Sequence, residues 1–164
     1  MMKNIFLRLF LFLLSATAFA QVDKVVVEKN ADGMKLVVNG KDFIVNGVNW
    51  DYVPIGTTIT DAGIWGKSDD IIKAALDGEM PLLKNMGVNA IRTYGLPPKW
   101  ITYIYENYGI YTMLNITFGA YGLTINGAWT PQTNYADPAT REVLMAEAVE
   151  MANTYKDTPG YCYI

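Results

Sequence analysis

The sequence predicts an α/β fold built on parallel strands, and three observations predict it. Beyond residue 46, short apolar strand runs alternate with stretches whose apolar residues recur at helical spacing. A glycine stands just before three of the strand runs, at Gly87, Gly109 and Gly160. The order after the first hairpin is therefore β-α-β-α-β-α-β, and strands alternating with helices argue for parallel βαβ units. Such crossovers are right-handed and carry their helices outside the sheet.

The elements follow in chain order. Residues 1–20 read as a secretory signal: Lys3 and Arg8 near the start, an apolar run from Ile5 to Leu14, and Ala18-Phe19-Ala20 as a cleavage site after Ala20. That run is shorter than the roughly 20 residues that span a bilayer. Residues 21–46 form an N-terminal β-hairpin region. Val22 to Glu28 and Met34 to Val38 read as strands, Asn30 to Gly33 as a turn, and Asn39-Gly40 as a tight hairpin turn before a return at Phe43 to Val45.

Residues 47–164 hold the alternating region. Gly47 to Tyr52 is a strand running into a loop, Val53 to Lys67. Ser68 or Asp69 caps a helix whose apolar face is Ile72, Leu76, Met80 and Leu83. Gly78 and Pro81 predict a kink or restart in it, and Gly87 its C-cap. Val88 to Arg92 is the next strand. Pro97-Pro98 opens a helix with Trp100, Ile101, Ile104 and Tyr108 on one side, ended by Gly109. Ile110 to Ile116 is a strand, and Thr117 to Ala136 reads as a long loop. Asp137-Pro138 caps a helix burying Leu144, Ala148, Met151 and Tyr155. Thr158 to Gly160 is a turn, and Tyr161 to Ile164 begins a further strand.

Composition narrows the chemistry. Without Lys3 and Arg8 the balance is 11 basic against 16 acidic side chains, a net charge of −5. That is the wrong sign for a nucleic-acid footprint. Cys162 is the only cysteine, so no internal disulfide forms, and it reads as buried strand filler. There is no histidine, which excludes His-dependent triads and His-ligated metals and leaves carboxylates as the acid–base groups.

Two folds suit the βα alternation, an eightfold barrel and an open doubly wound sheet. No Gly-rich phosphate loop opens a helix, so nucleotide binding lacks its usual mark. Chemistry-bearing residues instead follow several different strands: Trp50, Asp51 and Tyr52 after one, Arg92 and Tyr94 after the next, and Asn115 after a third. That distribution suits the C-terminal face of a barrel. Each residue also has a plainer reading. Arg92 can pair with a structural carboxylate, Trp50 and Tyr52 can pack the rim, and Asp51 and Asn115 can serve turns. Trp65 and Trp129 read as local loop cores, and Asp69-Asp70 as helix-dipole compensation. An eightfold barrel takes about 250 residues. The 144 residues from Gln21 to Ile164 supply about four of its eight units.

Four runs carry a resemblance: NGKDFIVNGVNWDYVP, EMPLLKNMGVNAIRTYG, YENYGIYTMLNITFG and YKDTPGYCYI. Together they resemble the first half of the retaining glycoside hydrolases with (β/α)8 barrels, of the family 2 barrel type and the related family 72 glucanosyltransferases. The likeness covers roughly Val38 to Ile164, and LLKNMGVNAIRTY is its most specific piece. It implies a partial TIM (β/α)8 barrel of about strands 1 to 4, preceded by the hairpin. It also implies an acid/base Glu after an Asn at the end of strand 4 and a nucleophilic Glu at the end of strand 7. An Arg at the end of strand 2 supports the nucleophile, and Arg92 matches it. Trp50, Asp51, Tyr52, Tyr94 and Asn115 are the expected sugar contacts. The chain has no Asn-Glu pair, and Glu106-Asn107 runs in reverse on a helix. The resemblance thus describes an inactive fragment, lacking both catalytic Glu, of an exported (secreted or periplasmic) hydrolase of a β-linked polysaccharide. A transglycosylase and a non-catalytic carbohydrate-binding remnant are its alternatives. No cofactor, metal, nucleic acid or membrane partner is expected once the signal is removed.

Overall fold

Asn39 and Gly40 both take positive φ, +51° and +76°, the geometry that joins two antiparallel strands with a two-residue turn. The computed structural model describes residues 22–53, 55, 58 and 63–162. The expected signal, part of the loop after the first parallel strand, and residues 163–164 lie outside them. Strands β1 (Val25–Asn30), β2 (Gly33–Val38) and β3 (Lys41–Asp42) form an antiparallel sheet in that order. β1 starts three residues later than expected. The return strand is only the two residues after the turn, with Phe43 to Val45 outside it.

The hairpin is bound to the N-terminal end of a second, parallel sheet. Tyr111 donates its hydroxyl to Asp23 at 2.7 Å, and its ring meets Phe43 edge-on at 5.2 Å. Two asparagines clamp the connection. Asn46 Nδ2 donates to the Gly87 carbonyl at 2.7 Å, and Asn89 Nδ2 to the Ile44 carbonyl at 2.8 Å.

The parallel sheet is β4 (Gly47–Asn49), β5 (Ala90–Thr93) and β6 (Tyr111–Leu114), in sequence order. Its register sets Gly47 beside Ala90 and Tyr111, Val48 beside Ile91 and Thr112, and Asn49 beside Arg92 and Met113. Tyr161 adds a parallel bridge to Thr112, with Cys162 N–H donating to the Thr112 carbonyl at 2.9 Å. That single bridge falls on the first residue of the expected further strand, whose last two residues lie outside the described ones.

Helix α1 (Asp69–Asn85) continues through Gly78 and Pro81, so the expected restart does not occur. Pro81 forfeits one backbone hydrogen bond, but the buried face of Ile72, Leu76 and Met80 holds the helix to the sheet. Its end has the Schellman arrangement. Val88 N–H donates to Leu83 O and Gly87 N–H to Lys84 O, with Gly87 at φ +82°. At its start the Ser68 side chain makes no cap hydrogen bond, so that expected cap is corrected. Helix α2 (Pro98–Tyr108) buries Trp100, Ile101 and Ile104 and ends at left-handed Gly109, as its spacing predicts. Helix α3 (Pro138–Tyr155) is capped by Asp137, which accepts from Thr140 N–H at 2.8 Å. Its expected apolar face is only half-covered. Leu144, Ala148, Met151 and Tyr155 are intermediate in burial, and Thr140 is the fully buried residue of the helix.

Ile91, Val88 and Ile110 share one core cluster with the buried faces of α1 and α2, and half-buried Val48 and Tyr155 of α3 pack against it. Side chains alternate across a strand. The helices therefore pack on the face of Val48 and Ile91, while Asn49, Arg92 and Met113 occupy the opposite face. A doubly wound sheet would put helices on both faces. Here consecutive strands are neighbours, and no described helix lies on the second face. The described architecture is mixed α/β, with three small sheets and three helices and no closed barrel among the described residues.

Candidate functional site

The strand alternation that turns Val48 toward the core also decides the fate of its neighbours. Trp50 falls on the helix side, is 9% exposed, and belongs to the core. Its indole N–H donates to Glu79 of α1 at 2.7 Å, and its ring packs on Trp65 at 6.1 Å. Trp65 is accordingly the loop core the sequence suggests. Trp50 is thus part of the core beside α1. Asn49, one position before it, falls on the open side, while Asp51, beyond the end of β4, is exposed and hydrogen-bonded to Thr93, a residue of the same parity as Ile91.

Arg92 is half-buried on the open face at the C-terminal end of β5. Its Nη1 reaches Asn49 Oδ1 at 3.3 Å and the Tyr94 hydroxyl at 3.4 Å, and its guanidinium carbon sits 5.2 Å from the Tyr94 ring centroid. Both hydrogen bonds are long against the 2.7–2.9 Å of charge-assisted bonds. Among the described residues Arg92 makes no salt bridge. The anionic partner that a half-buried Arg suggests is thus not supplied by a described carboxylate.

Asp51 is exposed and accepts the buried Thr93 hydroxyl at 2.8 Å through one carboxylate oxygen; among the described residues no hydrogen bond engages the other. Asp51, Tyr52 and Tyr94 line one cleft with Val53, Gly63, Trp65 and Gly95, of about 190 Å³. A second hollow of about 350 Å³ lies on the open sheet face, lined by Asn49, Arg92 and Met113 among others. Asn115 is half-buried. Its backbone N–H donates to the Thr93 carbonyl at 2.8 Å, and it lines neither hollow. The structure thus gathers Asp51, Tyr52 and Tyr94 around one cleft and sets Arg92 beside Tyr94, while Trp50 and Asn115 stand apart.

Asn49 is the residue that sequence reasoning passed over. Its signal was parity: in register with Arg92, it faces the same side of the sheet. Trp129 is a second. It is 63% exposed, not the core of its loop. The stretch read as a structureless loop contains a hairpin, β7 (Leu123–Ile125) and β8 (Ala128–Thr130), turned by Asn126-Gly127 with both φ positive. An Asn-Gly pair between β-prone residues is the strongest short-range hairpin signal.

No group of three or more His, Cys, Asp or Glu among the described residues could hold a metal ion. No helix among them is long and apolar enough to cross a membrane. Compared with protein-family models, curated proteins and solved structures, the chain matches none.

Proposed function

We propose that the chain is the Arg-bearing half, about strands 1 to 4, of a (β/α)8 barrel in an exported retaining glycoside hydrolase acting on a β-linked polysaccharide. The observation that carries this reading is Arg92 at the C-terminal end of β5, on a sheet face that no described helix covers and without a described carboxylate. Parallel sheets are normally covered on both faces. An open face bearing a guanidinium with no salt bridge among the described residues suits the inside of a barrel, where further strands bring the nucleophile.

Retaining hydrolysis uses two carboxyl groups about 5 Å apart, one attacking the anomeric carbon and the other acting as acid and then base. An Arg beside the nucleophile holds it ionised. Arg92 takes that part here, with Asn49 and Tyr94 orienting it. Asp51 accepts a sugar hydroxyl through its second oxygen, and Tyr94 and Tyr52 line the subsite. By the resemblance the acid/base Glu follows an Asn, a pair these residues do not contain, so sugar binding without cleavage is expected of them.

The test is an assay of the 164-residue chain on laminarin and cellulose oligosaccharides. The expected result is weak binding, reduced in Asp51→Asn and Tyr94→Ala, with no turnover. Hydrolysis by the pure chain, or binding indifferent to both substitutions, refutes the assignment.

A further inference from the structure

The β7–β8 hairpin carries an aromatic surface that the catalytic reading leaves unused. Thr124 and Trp129 are cross-strand partners and both are exposed, so they share the outer face. Leu123, Ile125 and Thr130 are half-buried on the other face. Trp129 is 63% exposed, and Tyr121, just before the hairpin, is 79% exposed.

The Trp129 ring is fixed from beneath. It rests on Gly122, where an added Cβ would stand 2.9 Å from the ring's Cη2 and 2.8 Å from the Thr130 carbonyl oxygen. Gly122 also sits at φ +116°, a conformation that L side chains rarely adopt. The base of the hairpin is tied as well. Gly122 N–H donates to the Gly119 carbonyl at 3.0 Å, Thr133 donates its hydroxyl to the same carbonyl, and Tyr135 donates to Phe118 O at 3.1 Å. The six-membered ring of the indole thus lies against the Gly122 backbone while most of the side chain meets solvent. Among the described residues, its N–H has no hydrogen-bond partner.

The chemistry around the ring selects the ligand. From Thr117 to Ala136 there is no charged residue, only hydroxyls, amides and aromatics. A nucleic acid needs cations for its phosphates, and none stands in this segment. A flat apolar face among neutral donors and acceptors matches a pyranose ring, which pairs a C–H face with a rim of hydroxyls. The hairpin follows the C-terminal end of β6, as Asp51 follows β4 and Tyr94 follows β5. The chain thus reaches the platform from the same end of the sheet as the cleft.

We infer that Trp129, seated on Gly122, is a stacking platform for a neutral sugar ring, a subsite outside the cleft of Asp51 and Tyr94. The inference rests on the carbohydrate reading of the chain. It adds a second binding position, so the chain grips an oligosaccharide longer than the cleft alone spans.

The experiment titrates the full chain with laminarihexaose and cellohexaose, followed by tryptophan fluorescence and calorimetry. Trp129→Ala is expected to weaken binding roughly three- to tenfold, the scale of one aromatic stacking contact. Gly122→Ala, which lifts the ring from its seat, does the same, and Trp129→Phe restores part of the affinity. Circular dichroism confirms that each variant keeps the fold. If Trp129→Ala binds as the wild type does while Asp51→Asn is weakened, the platform is wrong and the cleft stands. If Trp129→Ala is weakened while Asp51→Asn and Tyr94→Ala are not, the platform stands and the cleft falls. A wild-type chain that binds neither hexasaccharide overturns the platform. The hydrolase reading is then decided separately by the coding sequence.

Discussion

Truncating one side chain on each face of the parallel sheet measures how one-sided its packing is. Ile91 is fully buried on the helix side, between Val48 and Thr112 and within the cluster that holds Ile72, Leu76 and Ile104. Ile91→Ala removes three carbons, worth about 2.4 kcal/mol at roughly 0.8 kcal/mol each. The rigid wall of helices keeps the cavity open, which brings the expected loss to about 3–4 kcal/mol. Met113 is half-buried on the open face. Met113→Ala loses about half its transfer energy and leaves no enclosed cavity, so the expected loss is about 1 kcal/mol or less. Urea denaturation followed by circular dichroism compares the two. Equal losses would show that the open face is as closely packed as the helix side, and the argument from one-sided packing would fail. A loss under about 0.5 kcal/mol for Ile91→Ala contradicts the core assignment itself.

Three further outcomes follow from local geometry. Asp137→Ala removes a cap that accepts both the backbone N–H and the hydroxyl of Thr140, and is expected to cost about 1 kcal/mol. Ser68→Ala, at a helix start without a side-chain cap bond, changes stability by less than about 0.5 kcal/mol. Equal costs by thermal denaturation would contradict the structure. Asp77 joins α1 to α2 by accepting from Lys73, Tyr103 and Tyr108. Lys73 foremost, then the two phenols, hold its carboxyl down at about 2, below its ordinary 3.8. Its contribution is present above the ordinary value and is lost as pH falls through about 2. The wild-type urea midpoint should therefore fall between pH 4 and 2 more than that of Asp77→Asn, and parallel falls would refute the link. Burial pushes the Cys162 thiol up to about 11. A thiol-specific disulfide reagent should leave it unmodified in the native chain and label it fully in urea. Native labelling at the rate of a free thiol contradicts its burial.

Much of the fold was legible because local rules and burial agree. The apolar spacings of α1 and α2, the glycines after them, and the Asp137-Pro138 start of α3 each meet a specific backbone need, which the structure fulfils. The hairpin of β7 and β8 was missed because each strand is only three residues long, too short for alternation to show, although Asn126-Gly127 marked the turn. The site was legible in kind but not in side. Asn49 and Trp50 are neighbours in sequence, yet one shares the open face with Arg92 and the other joins the core, and only the register of β4 against β5 reveals which. That same register brings Asn49 to Arg92. The continuity of α1 through Pro81 was hidden because tertiary burial of Ile72, Leu76 and Met80 outweighs one lost hydrogen bond.

The central claim is that Arg92 belongs to the first half of a retaining glycosidase barrel. Reading the DNA that follows the codon for Ile164 tests it most directly. The account predicts an Asn-Glu pair within about ten codons in some frame, because a strand averages about 5–6 residues and the acid/base closes the fourth. Adjacent DNA with no such pair in any frame contradicts it.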